Sequence, residues 1–469
     1  MLFTSEIFIF LFLPLVIICN FVLSEKHRNF LLLLASLFFY AWGEPVFVFL
    51  MIASITINYF FGILLEKDGN KKILLGLSVS FNLALLIFFK YTNFIVENIN
   101  NLLIFYGINK IEFYYVKLPI GISFFTFHIL SYIIDVYRKD VSAQKNPLDL
   151  GLYISFFPQL IAGPIVRYHD IAHQLKHRFI TNEKVIYGIK RFIIGFAKKI
   201  VIANSMGHIA DKIFALEASN ITCSVSWIGA ICYSLQIYYD FSGYSEMAIG
   251  LARIFGFHFL ENFNYPYFSQ SIKEFWRRWH ISLSSWFRDY LYIPIGGSRN
   301  GKGKTYRNLL IVFLLCGLWH GSSWNFIIWG LFHGFFLVLE RTRFGIFIGN
   351  MWQPFRHIYA LFVVITGWVF FRADNLTHAL NYLKNMFGMG HATSSLKVSM
   401  FLTNETPIIL IIALIGMIPV IPNLAKALYR YSQKESFFYV EASLHLTIFF
   451  ISITWLINSS YNPFIYFRF

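Results

Sequence analysis

Residues 317–330, GLWHGSSWNFIIWG, set one imidazole, His320, between Gly317 and Gly321 and just ahead of Ser322, Ser323 and Asn325, in an otherwise apolar stretch. Forty residues earlier a second imidazole, His280, stands in EFWRRWHISLSSWFRDYLYIPIGGSR (274–299), with Arg277, Arg278 and Arg288 around it. With an ordinary pKa of about 6.5, imidazole is the natural general base at neutral pH. Inside a membrane an ionisable side chain is costly and by default marks a pathway or a site. The bland alternative for His320 is a single hydrogen bond to a neighbouring helix. The flanking glycines, which let a backbone or a narrow ligand approach closely, favour chemistry. For His280 two readings stand side by side. Its arginines and Trp276, Trp279 and Trp286 fit an interfacial belt meeting lipid headgroups. They fit equally a basic mouth, opening onto the bend at Pro294 and Gly296–Gly297, that receives a phosphate-bearing donor.

Further polar insertions interrupt apolar runs. SLQIYYDFSGYSEMAIG (234–250) carries Gln236, Asp240 and Glu246, and SFFPQLIAGPIVRY (155–168) is broken by Pro158, Gly163 and Pro164. His128 and Asp135 read as a solvated helix boundary. No Walker loop, GxSxG elbow, HExxH pair or dinucleotide fingerprint occurs, which leaves phosphoryl transfer, zinc hydrolysis and serine-nucleophile chemistry without support. The four cysteines form no CxxC pair, so neither a disulfide framework nor a metal site is expected.

The elements that must position these residues are membrane helices. Of 469 residues 57% are hydrophobic and 13% charged, and mean hydropathy is +0.58. A soluble chain carries about 25% charged residues. Candidate spans run 6–24, 29–43, 45–65, 73–90, 118–137, 185–206, 222–240, 306–320, 323–340, 356–373, 405–423 and 442–459. The segments 148–165, 243–257 and 281–297, short or broken by Gly and Pro, read as re-entrant or half helices. The first span lacks a basic leader and a small-residue cleavage site, so no signal peptide is expected. With no polar linker, the chain reads as a single domain, all-α and multi-pass, over 1–469. The net charge of +15 lies in short loops, which is the pattern of cytoplasmic loops rather than of a nucleic-acid binder. The loops at 66–72, 137–145 and 298–307 are therefore expected in the cytoplasm and 91–117 outside. On that topology His280 abuts the cytoplasmic basic cluster. His320, roughly 18 Å along a helix from Arg307, lies in the middle or outer half of the membrane.

The segments LPIGISFFTFHILSYIIDVYR, FFPQLIAGPIVRY, DFSGYSEMAIGLARIFGF, NFNYPYFSQSIKEFWRRWHISLSSWFRDYLYIPIGG and GLWHGSSWNFIIWGLFHG together resemble the bacterial membrane-bound O-acyltransferase (MBOAT) family. The nearest branch acts on alginate and peptidoglycan; the D-alanyl transfer proteins of teichoic acid modification are more distant. The resemblance runs from FFYAWGEP to the final YNPFIYFRF. It implies 11–13 helices plus re-entrant elements around a central funnel, with the family's invariant histidine falling on His320 and its second motif histidine on His280.

The expected function is O-acetyl transfer at the inner membrane. The donor substrate is acetyl-CoA, with no further cofactor, and the acceptor is an exopolysaccharide or cell-wall glycan. The resemblance also implies an exported SGNH-hydrolase-like partner. His320 is expected to act as general base or transient acyl acceptor, and His280 to polarise the thioester or position the donor. Arg277, Arg278, Asp240 and Asn325 are expected to bind substrate. Three alternatives remain: acyl or aminoacyl transfer to a lipid, teichoic acid or protein; a proton-coupled transporter, for which no inverted repeat is found; and a scaffold in which both histidines are dispensable. Labelling of single cysteines with an impermeant reagent tests the topology. A cysteine at position 302 is expected to stay unlabelled in intact cells, and strong external labelling there overturns the orientation.

Overall fold

Apolar runs of this length must be helical in lipid, because each backbone amide has to find its partner within the segment. The computed structural model is built of helices and has no strand among the described residues, which are 1–67, 69–390, 396–420, 423, 435–459, 461–463 and 465. The helices that matter here are α1 (Phe47–Glu66), α2 (Lys71–Phe105), α3 (Ile122–Arg138), α4 (Cys223–Ile254), α5 (Ile272–Arg278), α6 (Ile281–Phe287), α7 (Lys302–His320), α8 (Trp324–Leu339), α9 (Arg343–Asn350), α10 (Gln353–Arg372) and α11 (Glu435–Asn458). Among the described residues four segments are long and apolar enough to cross a bilayer: α1, α2, α10 and Phe438–Asn458 within α11. The chain is an all-α, multi-pass membrane protein.

Its residues group into two units, 1–189 with 248–260, and 190–247 with 261–469. In the first unit α1 and α2 are joined by a reciprocal amide pair. Asn58 donates to Asn82 Oδ1 at 3.0 Å, and Asn82 donates to Asn58 Oδ1 at 2.8 Å, which satisfies both side chains away from water. The expected end of the fourth span at residue 90 is not an end. Helix α2 is 35 residues long and continues past it to Phe105, with Lys90 buried and its Nζ 3.4 Å from Ser123 Oγ. At 1.5 Å per residue this helix is about 52 Å long, more than a hydrocarbon core of about 30 Å, so part of the stretch expected as an outer loop is helix.

The second unit holds both motif histidines. Here the expected break near Gly243 is absent: α4 runs through it as one 32-residue helix. The missing side chain is used for packing. A Cβ on Gly243 would lie 2.7 Å from the carbonyl oxygen of Gly195, and one on Gly195 would lie 2.5 Å from that of Gly243. The bend expected at 281–297 is present, with Gly296 and Gly297 at φ 108° and 53°, a region open mainly to glycine. The predicted 405–423 span holds a helix at Thr406–Gly416; residues 421 and 422 lie outside the described set.

Helices α7 and α8 form an antiparallel hairpin joined by residues 321–323. Their backbones touch through glycine, as small residues allow between membrane helices. A Cβ on Gly317 would stand 2.3 Å from Phe326 O, and one on Gly330 would stand 2.2 Å from Phe313 O. Gly330→Ala is therefore expected to force the hairpin apart at a cost of about 1–3 kcal/mol. Thermal unfolding in detergent micelles checks this against Gly303→Ala, a site with no heavy atom within 4 Å of an added Cβ. A lowered midpoint is expected for the first variant alone, and equal midpoints contradict the packing argument.

Candidate active site

Helix α7 ends at His320, which is buried at 5% exposure. Its ring is enclosed by aromatic neighbours, with centroids 4.9 Å from Trp319, 4.9 Å from Trp329 on α8 and 5.2 Å from Phe371 on α10. Asn325, at the start of α8, is also buried. Its Nδ2 donates to Ala373 O at 2.5 Å, tying the helix start to the end of α10 beside His320.

His280 is not at a basic surface, as the charge pattern suggested, but fully buried. The chain turns inward because α5 stops at Arg278 and His280 adopts φ 43°, ψ 55° before α6 begins. A left-handed conformation on a non-glycine residue costs roughly 1–3 kcal/mol and persists only where its surroundings over-determine it. Asn262 and Asn264 do so. Ile281 N donates to Asn262 O at 2.9 Å, Ser282 N to Asn262 Oδ1 at 3.2 Å, and Asn264 N to Arg278 O at 2.9 Å. The His280 ring packs edge-on to Phe241 at 4.6 Å and lies 6.1 Å from Trp319, so Trp319 neighbours both histidines. The sequence separated the two by membrane depth; in the fold they share one aromatic cluster.

The turn at His280 divides the arginines. Arg278 is held by Glu274, through Nε at 2.9 Å, and donates to Asn264 O at 3.1 Å. Arg277 instead lines a cavity of about 670 Å³ bounded by α5, α6, α7 and the 337–356 segment. Lys273, Arg341 and Arg356 line it as well, and among the described residues none of these four cations forms an ion pair. The two acids of the cavity wall are engaged: Glu274 by Arg278, and Glu340 by the backbone N–H groups of Ile272 (2.6 Å) and Lys273 (3.0 Å) and by the Tyr359 hydroxyl (3.2 Å). The remaining wall is apolar. Leu309, Val312, Phe313 and Cys316 present one face of α7, and Cys316 is one helical turn before His320 on that face.

Asp240 is occupied elsewhere. It pairs with Lys199 at 2.6 Å in a buried ion pair and accepts from Ile465 N at 3.0 Å, while Lys199 also donates to Pro463 O. It faces the C-terminal segment and does not line the cavity. Two residues escaped the sequence reading. Asn262 carries no local signal beyond its residue type. His333, visible only as a third histidine in an apolar helix, is fully buried between Trp276 (5.3 Å) and Trp329 (5.1 Å), its two ring nitrogens without a hydrogen-bond partner among the described residues.

Neither His280 nor His320 lines the cavity, but its apolar wall reaches Cys316, one helical turn from His320. A cation-lined cavity leading toward a buried imidazole suits transfer of a group carried by an anionic donor. Comparison with known proteins agrees in class. The MBOAT, membrane-bound O-acyltransferase, family model matches residues 142–380, a stretch that takes in His280, His320 and the cavity. The "Probable alginate O-acetylase AlgI" of Azotobacter vinelandii is 46% identical over 399 residues, 84% of this chain and 80% of that protein. The peptidoglycan O-acetyltransferase of Helicobacter pylori is 38% identical over 427 residues, covering 83% and 80%. The teichoic acid D-alanyltransferase of Bacillus subtilis is 34% identical over 229 residues, covering 46% and 56%. The chain thus belongs to the membrane-bound O-acyltransferase family and is an O-acyltransferase of the membrane.

Proposed function

We propose that the protein takes an acetyl group from acetyl-CoA on the cytoplasmic side of the bacterial inner membrane and passes it across for O-acetylation of an exopolysaccharide or cell-wall glycan. The cavity is the observation that carries this reading. Lys273, Arg277, Arg341 and Arg356 offer unpaired positive charge to the donor's phosphates, and arginine suits phosphate through its fork of donors. Past them the wall is apolar and leads along α7 to Cys316, one turn short of His320. A thioester arm lying along that face brings its carbonyl toward the imidazole, where water is scarce and hydrolysis suppressed.

His320 then acts as general base. It takes the proton of the acceptor hydroxyl as that oxygen attacks the thioester carbonyl, and returns a proton to the departing thiolate, leaving an ester and free CoA. Asn325, Trp329 and Phe371 hold the ring and the end of α7 in place. The relatives are named for alginate and peptidoglycan, which supports a glycan as final acceptor. An exported SGNH-hydrolase-like protein completes the delivery on the outer face.

Two outcomes test the reading. In inverted membrane vesicles supplied with acetyl-CoA, Arg277→Gln is expected to raise the donor concentration for half-maximal rate about tenfold or more, since a hydrogen bond to a charged group contributes about 1.5–3 kcal/mol. Arg278→Gln should leave it near wild type because Arg278 is held by Glu274, and an unchanged donor dependence in Arg277→Gln removes the cavity from the mechanism. His320→Ala and His320→Gln should each lower ester-bound acetate on the cell's polysaccharide by about 10²–10⁴-fold at normal membrane abundance. Wild-type acetate in an abundant His320→Ala variant rejects the base role.

A further inference from the structure

We propose that Asn262 is a positioning residue that fixes His280 in a single tautomer, with the Nδ1 nitrogen protonated and the Nε2 nitrogen presenting its lone pair to the reaction. This rests on the proposed acetyl transfer and adds His280 to the groups that carry it out. The backbone N–H of Ser282 can only donate, and it meets Asn262 Oδ1 at 3.2 Å. The amide orientation is thereby fixed, because a flipped amide would set N–H against N–H. The other half of the amide agrees: Nδ2 lies 3.0 Å from Ser245 Oγ, an atom able to accept, and Ser282 Oγ donates to Oδ1 at 2.9 Å.

That same Oδ1 lies 3.1 Å from His280 Nδ1. The Ser282 hydroxyl, 3.5 Å from Nδ1, directs its proton to the nearer Oδ1 at 2.9 Å, and an oxygen with lone pairs only pairs with Nδ1 when Nδ1 carries the hydrogen. The neutral ring then has its lone pair on Nε2, which is buried and has no partner among the described residues. A buried acceptor without a donor is unfavourable. That is a group awaiting a ligand that supplies a hydrogen, either a hydroxyl or an amide N–H. It also revises the role expected of His280. A neutral imidazole in this tautomer cannot donate from Nε2 to a thioester carbonyl; it receives a hydrogen bond or a proton there. The left-handed backbone at His280, held by the Ile281 and Ser282 amides on Asn262, aims the ring as well as fixing its proton. The logic is that of any histidine whose second nitrogen is set by an orienting partner.

The test is a double-mutant cycle on acetylation rate per unit of protein in the membrane, in cells carrying the full chain. Asn262→Ala is expected to lower the rate roughly 10- to 100-fold, the range typical of lost orienting partners of imidazole ligands. In a His280→Ala background the same change should have no further effect, because Asn262 acts only through that ring. Equal fold losses in the two backgrounds would mean a merely structural role and overturn the inference. So would full activity in Asn262→Ala when His280→Ala is inactive, an outcome that leaves the proposed function standing. Full activity in His280→Ala overturns the inference as well, since no ring is then left for Asn262 to position, and leaves the base role of His320 to its own test. If Asn262→Ala does not accumulate in the membrane, Asn262→Asp decides, since it keeps the oxygen that accepts from Nδ1 and from Ser282. Activity within about tenfold of wild type is then expected, and activity as low as that of His280→Ala at normal abundance overturns the inference.

Discussion

The close approach of α7 to α8 is the constraint on which the rest of the site depends. With glycine at 317 and 330 the two backbones meet carbonyl to Cα, leaving no room for even one methyl group. That approach brings Trp329, the neighbour of Gly330, onto the His320 ring, and carries His333 into the wall behind it. A membrane interior offers little hydrophobic force to draw helices together, so packing of small residues must do this. For the base role proposed for His320, such a setting needs no reorganisation when charge develops, which is the main advantage of a rigid, water-poor site.

The second constraint is the turn at His280. Were α5 and α6 one helix, His280 would follow Arg277 and Arg278 along its surface. The left-handed residue breaks that path, sending the imidazole inward and leaving Lys273 and Arg277, one turn apart, facing the cavity. Asn262 and Asn264 hold the corner, and Glu274 removes Arg278 from the cavity by pairing with it. In the proposed mechanism one local distortion thus separates the cations offered to a donor's charge from the imidazole turned inward.

Much of this was legible in the sequence. Hydropathy and charge place the chain in the membrane, and an imidazole bracketed by glycines in an apolar run marks His320 before any coordinates. The rest depends on long-range geometry. Gly243 looks like a helix break because glycine is flexible, yet here its missing side chain accommodates Gly195. Lys90 looks like the end of a span, yet it is buried next to Ser123. Arg277 and Arg278 are indistinguishable by type, and only the position of Glu274 separates them. Asp240 reads as a functional carboxylate in an apolar segment, but its partners, Lys199 and Ile465, come from elsewhere in the chain. A positive φ at a histidine leaves no mark in the residue pattern, so neither the corner nor the contacts of Asn262 there could be read in advance.

The most direct measurement of the central claim is a cryo-EM structure of the full chain with a non-hydrolysable acetyl-CoA analogue. Density is expected in the cavity, with the phosphates against Lys273, Arg277, Arg341 and Arg356 and the acyl end beyond Cys316 toward His320. A donor bound elsewhere, with a lipid chain filling the cavity, would contradict it.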